Sequence, residues 1–249
     1  MRWFAILLVA LAAGPARAAD VVVRDGDTLQ LGDTTYKLDG VDAPEFDQIC
    51  VDDHADPWAC GVDTRDKVAA LIGTGAVHCD DLGPAPSYKT WRLGLCRIEG
   101  ESESLNAQIV RAGYATAILA AGTQRFAAEE ADARDRQRGL WHGCFVAPQE
   151  FRRHVTDGRL LGASCRGDKD QELRAALFPD EPAMPPRCAI KAKVAVRARI
   201  TGNIGVYQLQ GCPSYASLTK PSRWFCSEED AQAAGFRRAY NCRPGAGAK

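Results

Sequence analysis

The 249-residue sequence contains no C-x-x-C pair, which argues against a zinc ribbon and a thioredoxin-type redox site. After its N-terminus it has no second apolar segment of membrane length, so no membrane-spanning domain is expected. It also has no excess of charge of either sign: 31 Lys and Arg stand against 32 Asp and Glu, a net charge of −1. A protein that grips nucleic acid with its whole surface is strongly basic. Any nucleic-acid contact here is therefore expected to be local and metal-assisted. Apolar content is ordinary and charge is mixed, which fits a globular chain of one or two domains.

The N-terminus reads separately. Arg2 supplies a positive start, Phe4 to Ala13 is an apolar run, and Ala16-Arg17-Ala18 is a small-x-small cleavage site. Residues 1–18 are thus expected to be a signal peptide, with a periplasmic or secreted product and no stable membrane insertion after cleavage. Cleavage removes two arginines and no acids, leaving 29 − 32 = −3. Ten cysteines follow: Cys50, Cys60, Cys79, Cys96, Cys144, Cys165, Cys188, Cys212, Cys226 and Cys242. An even number behind an export signal predicts disulfides. Cys50 with Cys60 across one loop, and Cys79 with Cys96 across neighbouring strands, are the expected pairs. Each disulfide contributes about 2–4 kcal/mol.

The most informative stretch is Asp25 to Glu45. Thr28–Leu31 and Thr35–Leu38 alternate around Gly32-Asp33, which is hairpin chemistry. Asp25 and Asp27 precede the hairpin, and Asp42 and Glu45 follow it. A hairpin joins its two ends in space, so Asp27, Asp42 and Glu45 are expected to converge. Converging hard oxygens suit Ca²⁺. Asp25 and Asp33 read as turn formers.

D-G-D-T at Asp25–Thr28 and V-D-A-P-E at Val41–Glu45 together resemble the staphylococcal nuclease (thermonuclease) family. Cys60-Gly61, Ser104-Leu105-Asn106 and R-G-L-W at Arg138–Trp141 extend the resemblance over roughly residues 20–145. It implies an α+β fold, a five-stranded OB-type β-barrel with about three helices. It also implies Ca²⁺ as cofactor, held by Asp27, Asp42 and the backbone carbonyl of Ala43, with Glu45 activating water. The implied substrate is nucleic acid, single-stranded DNA or RNA. Two departures stand out. Lys37 occupies the position of the family's first arginine, eight residues before Glu45, and loses the planar fork. At the second arginine the region reads S-Y-K-T-W-R-L-G-L-C, Ser87–Cys96, which puts Trp91 at the arginine position and Arg92 one step later. One step on a strand changes the face, and a bulge would be needed to restore it. Arg92 is taken with Lys37 and Glu45 as the catalytic set, and weak activity is expected.

Elsewhere the periodicity predicts strands at 21–23, 77–82 and 91–98, and helices at 62–72, 105–111 and about 124–138. His54 in the polar loop 46–58 is either a solvated histidine or a metal ligand. Trp141 reads as core and His142 as surface. Residues 146–187 read as a linker region, with a helical turn or two at 172–177 and a Pro-rich stretch at 178–186. A small Cys-rich accessory domain is expected at 188–242, disulfide-stabilised and α+β, with a flexible tail at 243–249. Ile190–Ile200 alternates as one strand that places Lys191, Lys193, Arg197 and Arg199 on one face; residues 206–209 form a second. Ser227 caps a helix that stops at Gly235. This region resembles the small domain appended to secreted bacterial nucleases. Its A-x-A-A-G-F-R run, Ala231–Arg237, resembles the zinc-binding domain of the Ada DNA-repair protein. Zinc held by Cys188, Cys212, Cys226 and Cys242 and two disulfides are the alternatives there. The leading expectation is an exported Ca²⁺-dependent nuclease. The alternatives are a non-catalytic OB-type module binding nucleic acid or an acidic polymer, and a structural envelope protein. No protein partner is implied.

Overall fold

The computed structural model describes residues 21–118 and 125–242. The expected signal peptide, the tail and the start of the third helix lie outside them. The sequence elements assemble into a mixed α+β structure with several sheets. Strands β1 (Val21–Asp25), β2 (Thr28–Leu31) and β3 (Thr34–Leu38) form an antiparallel meander. Helix α1 (Cys60–Ile72) follows, then β4 (Val77–Pro84) and β5 (Arg92–Ile98). The sheet order is β1-β2-β3-β5-β4, with β3 and β5 parallel. Among the described residues this sheet does not close into a barrel. Its inner face packs Leu29, Leu38, Val41, Val68, Ile98, Leu105 and Ile109 into one core. Helix α2 (Leu105–Arg111) starts at Ser104, whose side chain accepts from Ala107 N–H at 3.2 Å. Such a cap stabilises a helix by about 1 kcal/mol. Helix α3 spans Ala127–Asp135.

The segment 146–187, expected to be a linker, carries helices α4 (Pro148–Arg152) and α5 (Asp170–Leu177). It is packed: Val146, Leu173 and Leu177 bury against Val51 and Cys144. Short polar connections hid this, because few apolar residues suffice when the neighbouring surface is already apolar. His142 is half-buried and stacks on Trp58, with ring centroids 5.6 Å apart, while Trp141 is core as expected.

The C-terminal unit has four strands and two helices. These are β6 (Ile190–Val194), α6 (Val196–Arg199), β7 (Gly205–Gln208), β8 (Arg223–Phe225), α7 (Glu228–Ala233) and β9 (Phe236–Arg238), in sheet order β8-β6-β7-β9. The single strand expected over 190–200 ends at Val194. Its partner β7 begins at Gly205 opposite that residue, so 196–199 have no strand to pair with and turn helical. Lys191, Lys193, Arg197 and Arg199 consequently share no strand face. Ser227 does cap α7, accepting from Asp230 N–H at 3.1 Å.

All ten cysteines pair: Cys50–Cys60, Cys79–Cys96, Cys144–Cys165, Cys188–Cys226 and Cys212–Cys242. The two pairs expected from the sequence are present, and the disulfide alternative replaces zinc in the C-terminal unit. Such a set belongs in an oxidising compartment. No described helix is long and apolar enough to cross a membrane.

Gly61 shows how tightly the helix entry is built. A Cβ there would stand 1.9 Å from the Glu45 carbonyl oxygen. Gly61→Ala is therefore expected to destabilise the chain by about 1–3 kcal/mol in urea unfolding and to displace the Glu45 turn. An unchanged midpoint would show that α1 can retreat without cost.

Candidate functional site

The hairpin register builds the site. Thr28 faces Lys37 across β2 and β3, so the lysine reaches the acid that precedes the strand. Lys37 Nζ lies 2.6 Å from Asp27 Oδ1 and 3.4 Å from Thr28 Oγ1. The Ala43 N–H donates to Asp27 Oδ2 at 2.9 Å. Asp25, the turn former, accepts from the Asp27 N–H at 3.0 Å. Burial raises the Asp27 carboxyl well above the usual carboxylate range, with Asp25 and Asp42 adding to the rise and Lys37 opposing it. Burial works against the Lys37 ammonium, but Asp27 and Asp25 outweigh it and raise its pKa well above the usual value.

After the hairpin, Glu45 sits in a turn closed on itself. Its carbonyl accepts from Gln48 N–H at 2.7 Å, and its N–H donates to Gln48 Oε1 at 3.2 Å. Gln48 is fully buried and anchored to the Val146 carbonyl at 2.8 Å. The side chain of Glu45 meets a residue that no sequence signal marked. Arg152, at the end of α4, donates from Nε to Glu45 Oε1 at 2.7 Å and from Nη2 to Asp42 Oδ1 at 2.5 Å. Burial opposes the guanidinium charge, yet Glu45 and Asp42 outweigh it and raise the pKa. The sequence places Arg152 in a stretch without periodicity, 107 residues from Glu45; only the fold joins them.

Asp27, Asp42, Glu45 and Lys37 are thus brought into one neighbourhood, and Arg92 is not. In the parallel register, Leu93 is opposite Lys37, and Arg92 is opposite Tyr36. Paired residues share a face, so Arg92 points away from Lys37. It is exposed to the extent of 38% and binds Asp81 through Nε at 2.8 Å. The bulge in this ladder lies in β4, between Asp81 and Gly83, and does not turn Arg92 back. Trp91 is buried, stacks on Tyr88 with centroids 3.8 Å apart, and donates from Nε1 to Glu229 Oε2 at 2.9 Å. His54 is a solvated loop residue near Asp53.

The acidic set as arranged does not fit Ca²⁺. Both Asp27 oxygens carry donors, and one oxygen each of Asp42 and Glu45 is bound by Arg152. Among the described residues, no three His, Cys, Asp or Glu side chains converge closely enough to hold a metal. The Ala43 backbone faces Asp27 through its N–H.

Two cavities adjoin the cluster. The larger, about 780 Å³, lies between the five-stranded sheet and the C-terminal unit. Lys37, Asp42, Arg152 and Arg153 line it on one side, with apolar Leu93, Ile118 and Ile204 around them. The smaller, about 50 Å³, is lined by Asp25, Glu45, Asp230 and Trp224. Lys37 and Tyr88 form part of both walls. A polar space of this smaller size, lined by carboxylates as well as by Lys37 and Trp224, suits water.

Two measurements test this electrostatic picture. Calorimetric Ca²⁺ titration is expected to show weak binding to the wild type and at least about tenfold tighter binding to Arg152→Ala, because the substitution frees two carboxylates. Equal affinities would contradict the occupied-site arrangement. Burial raises the Asp230 pKa from 3.8 to about 6, with Asp25 and Glu45 adding to the rise. The folded chain therefore holds this proton longer than the unfolded chain. The resulting stabilisation is full below pH 3.8 and is lost as pH rises through about 6, amounting to about 3 kcal/mol. Asp230→Asn is expected to flatten that loss in denaturant titrations between pH 4 and pH 7; parallel curves would assign the loss elsewhere.

No protein-family model matches the chain. The chain is similar to the succinoglycan biosynthesis protein ExoI of Rhizobium meliloti (strain 1021), at 23% identity over 150 residues, covering 56% of this chain and 78% of that protein.

Proposed function

We propose that the protein is an exported phosphodiesterase acting on single-stranded nucleic acid, built on an OB-type variant of the nuclease-like sheet. The observation that carries this reading is that Arg152, which binds Glu45 at 2.7 Å, lines one large cavity together with Lys37. Lys37 and Arg152 face a large cavity, while Glu45 faces the water-sized one beside it. A phosphate in the larger cavity would be held by the Lys37 ammonium and by Arg152 Nη1, which makes no hydrogen bond to a protein acceptor among the described residues. Such fixed donors stabilise the charge that builds on phosphorus in the transition state. Water from the smaller cavity would attack phosphorus and pass a proton to Glu45. The phosphorus–oxygen ester bond then breaks, and the departing alcohol oxygen takes a proton from solvent. The cavity lies between two packed units, and it would suit a flexible single strand better than a stiff duplex.

In this reading Arg152 supplies the charge that the resemblance implies at Arg92. It also makes the two side-chain cations, rather than a divalent ion, the source of positive charge. The D-G-D-T and V-D-A-P-E words support the phosphodiester substrate, since they are what placed Asp27, Asp42 and Glu45 together.

A second reading is favoured by a specific observation: Asp27, Asp42 and Glu45 are all ion-paired, and Glu45 does not line the larger cavity. On that reading the protein binds an anionic polymer without turning it over. The relative named for succinoglycan biosynthesis adds succinoglycan to the ligands worth testing.

The deciding experiment uses the oxidised chain from residue 19 with single-stranded DNA and RNA, in Ca²⁺ and in chelator. Hydrolysis is expected in both conditions, falling about 10²–10³-fold in Arg152→Ala, vanishing in Glu45→Gln, and holding within about twofold in Arg92→Ala. Loss in chelator alone would return the charge to a metal. Binding without product in any arm would favour the second reading.

A further inference from the structure

We propose that Arg223, on the C-terminal unit, is a positioning residue that sets Glu45 and Arg152 against each other, so that this unit is part of the site rather than an appendage. The proposal rests on the reading of Glu45 and Arg152 as working residues. Arg223 is 1% exposed. Its guanidinium donates from Nε and Nη2 to the two oxygens of Asp47, each at 2.7 Å. Asp47 is two residues beyond Glu45 and lies in the same turn. From Nη1, the same guanidinium donates to the carbonyls of Phe151 at 3.3 Å and Arg152 at 3.4 Å, the last turn of α4. Thus one planar group ties the turn that carries Glu45 to the helix end that carries Arg152. Arg223 also lies near the Glu45 carboxylate itself, with Nη2 3.8 Å from Oε2.

Arg223 is in turn fixed from its own side. It sits on β8, paired with the central strand β6, between the rings of Phe151 and Phe225 at 4.4 and 4.9 Å. Its neighbour Trp224 donates its N–H to Asp47 Oδ2 at 2.9 Å. A second docking point lies across the site. Glu229 of α7 accepts from Trp91 Nε1 at 2.9 Å and from Thr90 Oγ1 at 3.0 Å. The residue standing where the family arginine was expected therefore anchors the C-terminal unit, and that unit's Arg223 holds the replacement cation. A flat five-donor fork can make these bonds together, whereas an ammonium cannot.

The test compares Arg223→Lys with Arg238→Lys in the full oxidised chain. Arg238 pairs with Glu228 inside the C-terminal unit and does not touch Asp47. Hydrogen exchange at residues 45–48 and 149–154 is expected to speed by at least about tenfold in Arg223→Lys, with residues 28–38 unchanged. In Arg238→Lys both segments are expected to stay as in the wild type. On single-stranded DNA, Arg223→Lys is expected to lower kcat by about 10²-fold while KM moves by less than about threefold. Unchanged local exchange, or a uniform rise over the whole chain in both variants, would overturn the proposal. So would faster local exchange with kcat intact. If the wild type shows no turnover, the proposed function fails on its own, and the exchange result still decides whether Arg223 holds the two segments together.

Discussion

The buried pair between Arg223 and Asp47 is the constraint on which the rest of the site depends. Two charges removed from water are costly, and only dense hydrogen bonding compensates them. Here both oxygens of Asp47 and all three guanidinium nitrogens have partners. Removing one partner would leave the other charge buried and alone, a loss of about 3–5 kcal/mol. Because the pair bridges two units, that energy holds their relative placement. Glu45, Asp42 and Arg152 inherit their geometry from it.

The same placement explains how a neutral chain concentrates charge. The net charge is near zero, but Lys37, Arg152 and Arg223 meet Asp27, Asp42, Glu45 and Asp47 within one region. Each charge has a counter-charge at hydrogen-bond distance, with Arg152 serving both Asp42 and Glu45, so the interior tolerates them. Anion binding at this site would come from the donors left over, not from a basic surface.

Local chemistry was legible wherever it was decided locally. The Gly32-Asp33 turn, the alternation of β2 and β3, the Ser104 and Ser227 caps and the Cys50–Cys60 pairing all follow from neighbouring residues. The register that places Lys37 beside Asp27 follows from the hairpin. Arg152 was not legible, because nothing near it in sequence distinguishes it from Arg153. Its role arises from a helix of five residues held by Arg223, 71 residues downstream of Arg152. Ile190–Ile200 failed for a related reason: alternation describes a strand only where a partner continues, and β7 begins only at Gly205, opposite Val194. Arg92 lies apart from the cluster because it falls one step after Trp91 on the strand, opposite Tyr36 rather than Lys37, and no bulge restores it.

The central claim is that Lys37 and Arg152, rather than Arg92, receive the substrate's phosphate. Side-chain nitrogen NMR of the Glu45→Gln chain, titrated with a short single-stranded oligonucleotide, tests it most directly. The account expects the Arg152 guanidinium and Lys37 ammonium resonances to move in step with saturation while Arg92 stays fixed. Movement of Arg92 with Arg152 unmoved would contradict it.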